Sequence, residues 1–354
     1  MNINNILEQR TVQTSVPCRV DLGGTLDIST FYLTLQNLTP STFNIALNLR
    51  TKVCLSSFKK RYIKVSSKGF KSAVFKENEV SFNHPMGLMF ACANYFNVHG
   101  VHIYIESSSP PRSALGGSSA AAVAIISAFF EIFDKPIIPE QVAWLAHYIE
   151  SSVAGVPCGM QDQLAAAFGG VNQWIWKMGK TSPEFQQVPV FDRDVDIEAF
   201  NSNIIVAYCG IPHVSKDINS QWVQSFINGE TRMVFEQIAG LTTQFSKAVK
   251  GKNFSKAARL MNQETKLRLE MTPDVLDNTG KKLFKNAMEF NCGARFTGAG
   301  GGGCLWAIGE RADINKLKVL WKKNLEPVKD AEILNAGIDN RGIQIIDNNL
   351  KVRN

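Results

Sequence analysis

Residues 43–82 alternate apolar and polar positions in short runs separated by polar breaks (NIALNLRTKVCLSS, RYIKVSS, SAVFKE). A period of two marks strands half-buried on one face, and the spacing predicts an antiparallel meander. His84-Pro85 then opens MGLMFACANYF, long enough for a helix, and VHIYIESSS at 101–109 returns to strand alternation. Immediately after comes PPRSALGGSSAAAVAIISAFFEIF, a Gly/Ser turn opening into an alanine-rich helix. Pro139-Glu140 begins a further helix, with proline suited to its first turn and Gly155 placed to end it. SNIIVAYCG at 202–210 has the composition of a buried strand, and 217–291 carries helical periodicity interrupted near Gly251 and Pro273. GARFTGAGGGGCLWAIG at 293–309 predicts strand, glycine loop, strand. A polar shift near 180–200 predicts a boundary between an N-terminal unit, 1–195, and a C-terminal unit, 196–354.

A chain of 354 residues is long for one core and comfortable for two. It is 45% hydrophobic and 19% charged, the profile of a globular protein. No stretch approaches the ~18–20 apolar residues of a membrane span, and the first residues carry neither a secretory core nor a presequence pattern. The expectation is a cytoplasmic protein with no membrane partner, monomeric or homodimeric. Seven scattered cysteines without a CxxC pair point away from a disulfide framework and from structural zinc. The net charge of +7 lies in short clusters such as Lys59-Lys60-Arg61, without the aromatic interleaving of a nucleic-acid surface. No nucleic-acid partner is expected. A modest basic excess suits phosphorylated ligands, although a solvated surface accounts for any one cluster equally well.

Four segments carry candidate chemistry. In the first, Ser113, Ala114, Leu115, Gly116, Gly117, Ser118 and Ser119 lie between a strand and a helix start. Unsatisfied backbone N–H groups and the helix dipole favour phosphate there, although a Ser-Ser N-cap is also an ordinary structural device. It is not a Walker A loop, because no Gly-Lys-Ser/Thr follows. In the second, Glu150 and Asp162 flank a Gly/Pro turn and can converge on one cleft, one to hold magnesium and one to face a hydroxyl. Two ordinary surface acids are the alternative, less so for Asp162, which sits beside an apolar run. The third is Thr297 to Gly303, where consecutive glycines between apolar strands suit close approach by a ligand or by other backbone. The fourth, RVDLGGTLD at 19–27, places a cation, a glycine turn and a carboxylate suited to hydroxyls.

In this order and spacing the four segments resemble the GHMP kinases, over roughly residues 15–310. ESSVAGVPCGMQDQ, Glu150 to Gln163, is similar to the galactokinase pattern E-x4-G-x-P-C-G-x-x-D-Q. QDQLAAAFGGVN is similar to the D-glycero-D-manno-heptose 7-phosphate kinases, and RVDLGGTLD to the RIDLAGGWTD of fucokinases and heptose kinases. The phosphate loop departs from the family's P-x3-G-L-G-S-S-A, with Ala114 for the first Gly and Gly117 for the first Ser. The fold implied is α+β in two domains. The first is of the ribosomal protein S5 second-domain type, with a left-handed βαβ crossover against the usual right-handed rule. The second is ferredoxin-like.

The resemblance implies ATP and Mg2+ as ligands and a sugar or sugar phosphate as acceptor, phosphorylated at a hydroxyl, the anomeric one in the family's sugar branch. Carried over, ATP's phosphates lie on 113–119, and Ser118 (alternatively Ser119) and Glu150 hold the metal. Asp162 acts on the acceptor hydroxyl beside Arg19. Asp27, Gly24, Gly300, Gly301, Gly302 and His213, with Ser215 near it, would surround the acceptor. Two other readings stay open: a GHMP-fold sensor that binds sugar and ATP without turnover, and an isoprenoid-type kinase resembling mevalonate kinase.

Overall fold

The computed structural model describes residues 3–179, 184–191, 193–212 and 218–346. The chain opens with α1 (Ile3–Gln9), β1 (Val12–Leu22), α2 (Ser29–Thr34), the long β2 (Ser41–Ser57), β3 (Tyr62–Ser67) and β4 (Ala73–Lys76). Next come α3 (Gly87–Tyr95), β5 (Val101–Ser107), α4 (Gly117–Ile132), α5 (Pro139–Val153) and α6 (Gln161–Phe168), then β6 (Val171–Lys177), β7 (Glu184–Pro189) and α7 (Asp194–Phe200). The second half holds β8 (Ile204–Tyr208), α8 (Ile218–Ile227), α9 (Arg232–Lys250), α10 (Phe254–Met271), α11 (Asn278–Glu289), β9 (Gly293–Phe296), β10 (Cys304–Ile308), α12 (Arg311–Leu325), β11 (Glu332–Ile333) and β12 (Gln344–Ile346). No helix among the described residues is long and apolar enough to cross a membrane.

The first sheet runs β12-β1-β2-β5-β3-β4, with β6 and β7 added at the start of β2. β2 is its spine: residues 41–45 pair with β6 and residues 51–57 with β5, while β1 pairs along most of its length. The antiparallel meander expected over 43–82 is corrected here. β3 and β4 form a hairpin, but β5 enters between β2 and β3 and runs parallel to β3. The segment from β4 through α3 to β5 is long enough to make that crossover, which a tight turn cannot. Helices α3 to α6 pack with one another, and α4 and α6 lie against β1 and β2. The alanine-rich face of α4 (Ala120, Ala121, Ala122, Ala124, Ala128) is buried, so small side chains let this helix lie close to the strands.

The second sheet has order β11-β8-β10-β9, all antiparallel. Counted within this half, that is fourth, first, third, second, the order of a ferredoxin-like sheet. A second core lies between this sheet and helices α8, α9, α11 and α12, with Trp222, Phe235, Phe296 and Trp321 buried in it. The stretch after β1 also joins it: Leu26, Ile28, Phe31 and Leu35 are buried there, and the Phe31 ring stacks on Phe235 with centroids 4.2 Å apart. The turn at residues 23–27 is thereby held between the two halves.

Candidate functional site

β1 and the segment that leads from β5 into α4 build one wall of the site. Arg112, Ala114 and Gly116 all have positive φ (56°, 59° and 75°), so the loop curls at alternate residues before α4 begins. Two backbone contacts pin the curl: Arg19 N donates to Leu115 O at 3.1 Å, and Cys304 N donates to Ser113 O at 2.9 Å. At Gly303 a side chain would meet Ser113 O at 2.6 Å, so the glycine loop and the phosphate loop touch backbone to backbone. The unsatisfied N–H groups at the start of α4 open on a cavity of about 710 Å³ lined by Ser113 to Ser119.

Arg19 and Asp162 meet in that cavity. Arg19 Nε donates to Asp162 Oδ1 at 2.7 Å and Nη2 to Oδ2 at 2.8 Å, a bidentate pair that fixes the carboxylate's plane. The third guanidinium nitrogen, Nη1, donates to Ala114 O at 2.7 Å and so ties the pair to the phosphate loop. Asp162 occupies the first turn of α6, where the helix dipole favours negative charge. A side chain at Gly116 would come within 3.1 Å of Asp162 Oδ2, so this glycine lets the loop close on the carboxylate. Asp21 and Asp162, flanking Arg19, hold its guanidinium above its ordinary pKa despite the opposing effect of burial.

Glu150, near the end of α5, accepts from Ser119 Oγ at 2.7 Å and from Gln163 Nε2 at 2.6 Å. Burial outweighs those bonds and raises its pKa to about 7. Ser118 lines the cavity but is exposed at the first turn of α4, and the hydroxyl brought to Glu150 belongs to Ser119. A buried carboxylate beside a hydroxyl is a hard-oxygen donor pair that fits Mg2+, leaving its remaining positions to phosphate and water. Asp27 lines the same cavity, 6% exposed, and accepts the Gln161 amide at 3.0 Å. Burial raises its pKa to about 7, with a further push from Asp162. Gly159 has no side chain because Asp27 Oδ2 would lie 1.8 Å from its Cβ.

Not every expected residue reaches the cavity. Gly24, Gly300, Gly301 and Gly302 are not among its lining, and the glycine loop enters it through Gly298 and Ala299. Gly24, Gly300 and Gly301 instead meet other parts of the protein. A side chain at Gly300 would strike Val275 O at 2.6 Å, Gly301 N donates to Val275 O at 3.0 Å, and a side chain at Gly24 would strike Asp21 Oδ2 at 2.3 Å. His213 and Ser215 lie outside the described residues. Sequence reasoning missed Asp21, whose Oδ1 accepts Gly298 N at 2.8 Å and whose Oδ2 accepts Arg295 Nη1 at 2.9 Å. The signal was present: Arg19 and Asp21 are two apart on a strand, hence on one face, in a run otherwise apolar. It also missed Phe70, Met86 and Met89, which add an apolar lining.

Residues 83–170, the span that carries the phosphate loop, Glu150 and Asp162, match the family model described as GHMP kinases N terminal domain. The chain carries a GHMP kinase N-terminal domain. Over 293 residues the chain is 26% identical to a mevalonate kinase of Thermococcus sibiricus, an alignment spanning 74% of this chain and 81% of that one. Over 240 residues it is 24% identical to a D-glycero-alpha-D-manno-heptose 7-phosphate kinase of Campylobacter jejuni, spanning 67% of this chain and 68% of the other. Its backbone follows Lactococcus lactis galactokinase, solved with galactose, with a TM-score of 0.73 over 96% of this chain and 98% of that one. Sequence identity in that last comparison is 17%, so the likeness speaks for the fold.

Proposed function

We propose that this protein transfers the terminal phosphoryl group of ATP to a hydroxyl of a sugar or sugar phosphate. The observation that carries the reading is the bidentate Arg19–Asp162 pair, set in the same cavity as the start of α4 and the Ser119–Glu150 contact. The N–H groups of 113–119 cradle the phosphates, and Phe70, Met86 and Met89 offer apolar surface for the flat base. Ser119 and Glu150 would hold an Mg2+ ion accompanying ATP, which would supply positive charge beside the phosphates. Asp162 accepts or orients the proton of the attacking hydroxyl. Arg19 aims it through the bidentate pair, and most of the rate comes from positioning and electrostatics. Asp27 takes hydrogen bonds from hydroxyls that do not react.

Asp27 favours a polyhydroxylated acceptor, because a carboxylate in a pocket rewards donors and repels a second carboxylate. The isoprenoid-type reading draws support from the mevalonate kinase relative. An ADP-release assay with ATP, Mg2+ and a panel of sugars, sugar phosphates and mevalonate separates the two. At least one sugar should stimulate release well above solvent background. Stimulation by mevalonate alone would replace the sugar reading, and stimulation by nothing would return the chain to a nucleotide-binding sensor.

A further inference from the structure

A row of charged side chains of alternating sign runs through the molecule where its halves meet: Asp162, Arg19, Asp21, Arg295, Glu264, Arg268. Arg19 Nη1 lies 3.7 Å from Asp21 Oδ1, and Arg295 Nη1 lies 2.9 Å from Asp21 Oδ2. Arg295 Nε and Arg268 Nε then share Glu264, at 2.9 and 3.0 Å. From Asp21 to Arg268 each side chain is 0% exposed. Burying ions costs several kcal/mol apiece, and apolar packing would stabilise such a place as well or better. The row's two ends indicate its use.

One end is Asp162, in the cavity. The other is Arg268, whose Nη2 donates to Gly24 O at 2.7 Å and Nη1 to Thr25 Oγ1 at 3.1 Å. Its guanidinium lies 4.6 Å from the ring centre of Trp222 and 5.1 Å from that of Phe235, so the direction of the fork is fixed. Thr25 has φ +76°, a conformation that a β-branched residue adopts only when held there. Two residues on is Asp27, which accepts the amide of Gln161, the neighbour of Asp162. The row therefore leaves the catalytic pair, crosses into α10, and returns through the 24–27 turn to the residue beside its starting point.

We propose that Arg268, on a helix that does not line the cavity, is a positioning residue for the acceptor end, setting Asp27 by holding the turn at Gly24 and Thr25. The claim that Asp27 meets a sugar rests on the function proposed above; the claim that Arg268 sets Asp27 does not. Hydrogen exchange tests it without turnover. Arg268→Lys keeps a charge for Glu264 and loses the planar fork. Above pH ~8, where Asp27 is ionised, the Gln161 amide should then exchange at least ~10-fold faster, the loss expected for one hydrogen bond to a charged acceptor, while amides of β8 and β10 keep native rates. Thr25→Val, which removes only the hydroxyl and leaves every buried charge in place, should move Gln161 in the same direction and decides the matter if Arg268→Lys does not fold. Native exchange at Gln161 in a folded variant would overturn the proposal. With the best acceptor from the panel, Arg268→Lys should raise the acceptor KM ~10-fold and leave the ATP KM within about twofold. An equal rise in both, or in neither, would also overturn it. A chain that turns over no acceptor while Gln161 responds would sink the sugar-kinase reading and leave the positioning role standing.

Discussion

Replacing Asp27 by asparagine should stabilise the ligand-free protein and weaken its hold on the acceptor. The carboxyl group titrates near an ordinary value of 3.8 in an unfolded chain and is raised to about 7 in the folded one, chiefly by burial. Between those values the folded protein keeps a proton that the unfolded chain releases. Stability contributed by this group is therefore fully present below pH ~4, falls as pH rises towards ~7 and stays low above. A difference of about three units at ~1.4 kcal/mol each gives about 4 kcal/mol as the full penalty at alkaline pH. Asparagine has nearly the same shape, can still accept the Gln161 amide through Oδ1 and does not titrate. At pH 8.5 Asp27→Asn should thus gain up to about 4 kcal/mol, which corresponds to a Tm rise of about 5 °C for a chain of this length. At pH 4 the gain should vanish. Thermal and urea melts of both proteins across this range measure it, and in parallel the acceptor KM of Asp27→Asn should rise several-fold. A variant less stable than wild type at pH 8.5, or a stability difference independent of pH, would refute the reasoning that Asp27 is a strained, desolvated carboxylate kept for binding.

Two further outcomes follow from local geometry. Ala114 has φ +59°, which costs an L-residue ~1–2 kcal/mol, so Ala114→Gly should raise the urea midpoint by an amount equivalent to about 1 kcal/mol; a lower midpoint would contradict the strain. Ser119→Ala removes the hydroxyl that meets Glu150 and should reduce the thermal shift given by ATP with Mg2+ by the equivalent of about 1.5–3 kcal/mol, whereas Ser118→Ala should change it little; the reverse ranking would assign the metal to Ser118.

What the chain revealed before its structure was local. The turn opening into an alanine-rich helix, the proline start of α5 and the strand-glycine-strand of 293–309 are each written in contiguous residues, and each element stands where the pattern places it. Neighbours in a sheet are not local. Alternation in β2, β3 and β4 says which face is buried, not that β5 will slip between β2 and β3 in parallel. The phase of a helix start was equally hidden: adjacent serines look alike in sequence, yet one faces solvent and the other Glu150. The glycine run correctly announced close approach, but could not say that the approaching groups were Val275 O and Ser113 O. Arg295 and Glu264, single charges in separate elements, gain meaning only when folding brings Asp21 to Arg295 across 274 residues, with Glu264 on its other side.

The central claim is that Asp162 acts on a sugar hydroxyl while Arg19 aims it. Single-turnover phosphoryl transfer by Asp162→Asn, on the acceptor that best stimulates wild-type ADP release, tests this most directly. The amide keeps the shape of the carboxylate and gives up its charge, so ATP binding by calorimetry should be nearly unchanged. The transfer rate should fall ~10²–10⁴-fold, the range for loss of a positioned acid–base group. Transfer by Asp162→Asn at close to the wild-type rate, with ATP bound normally, would contradict the claim and leave Arg19 and Asp162 as a structural ion pair.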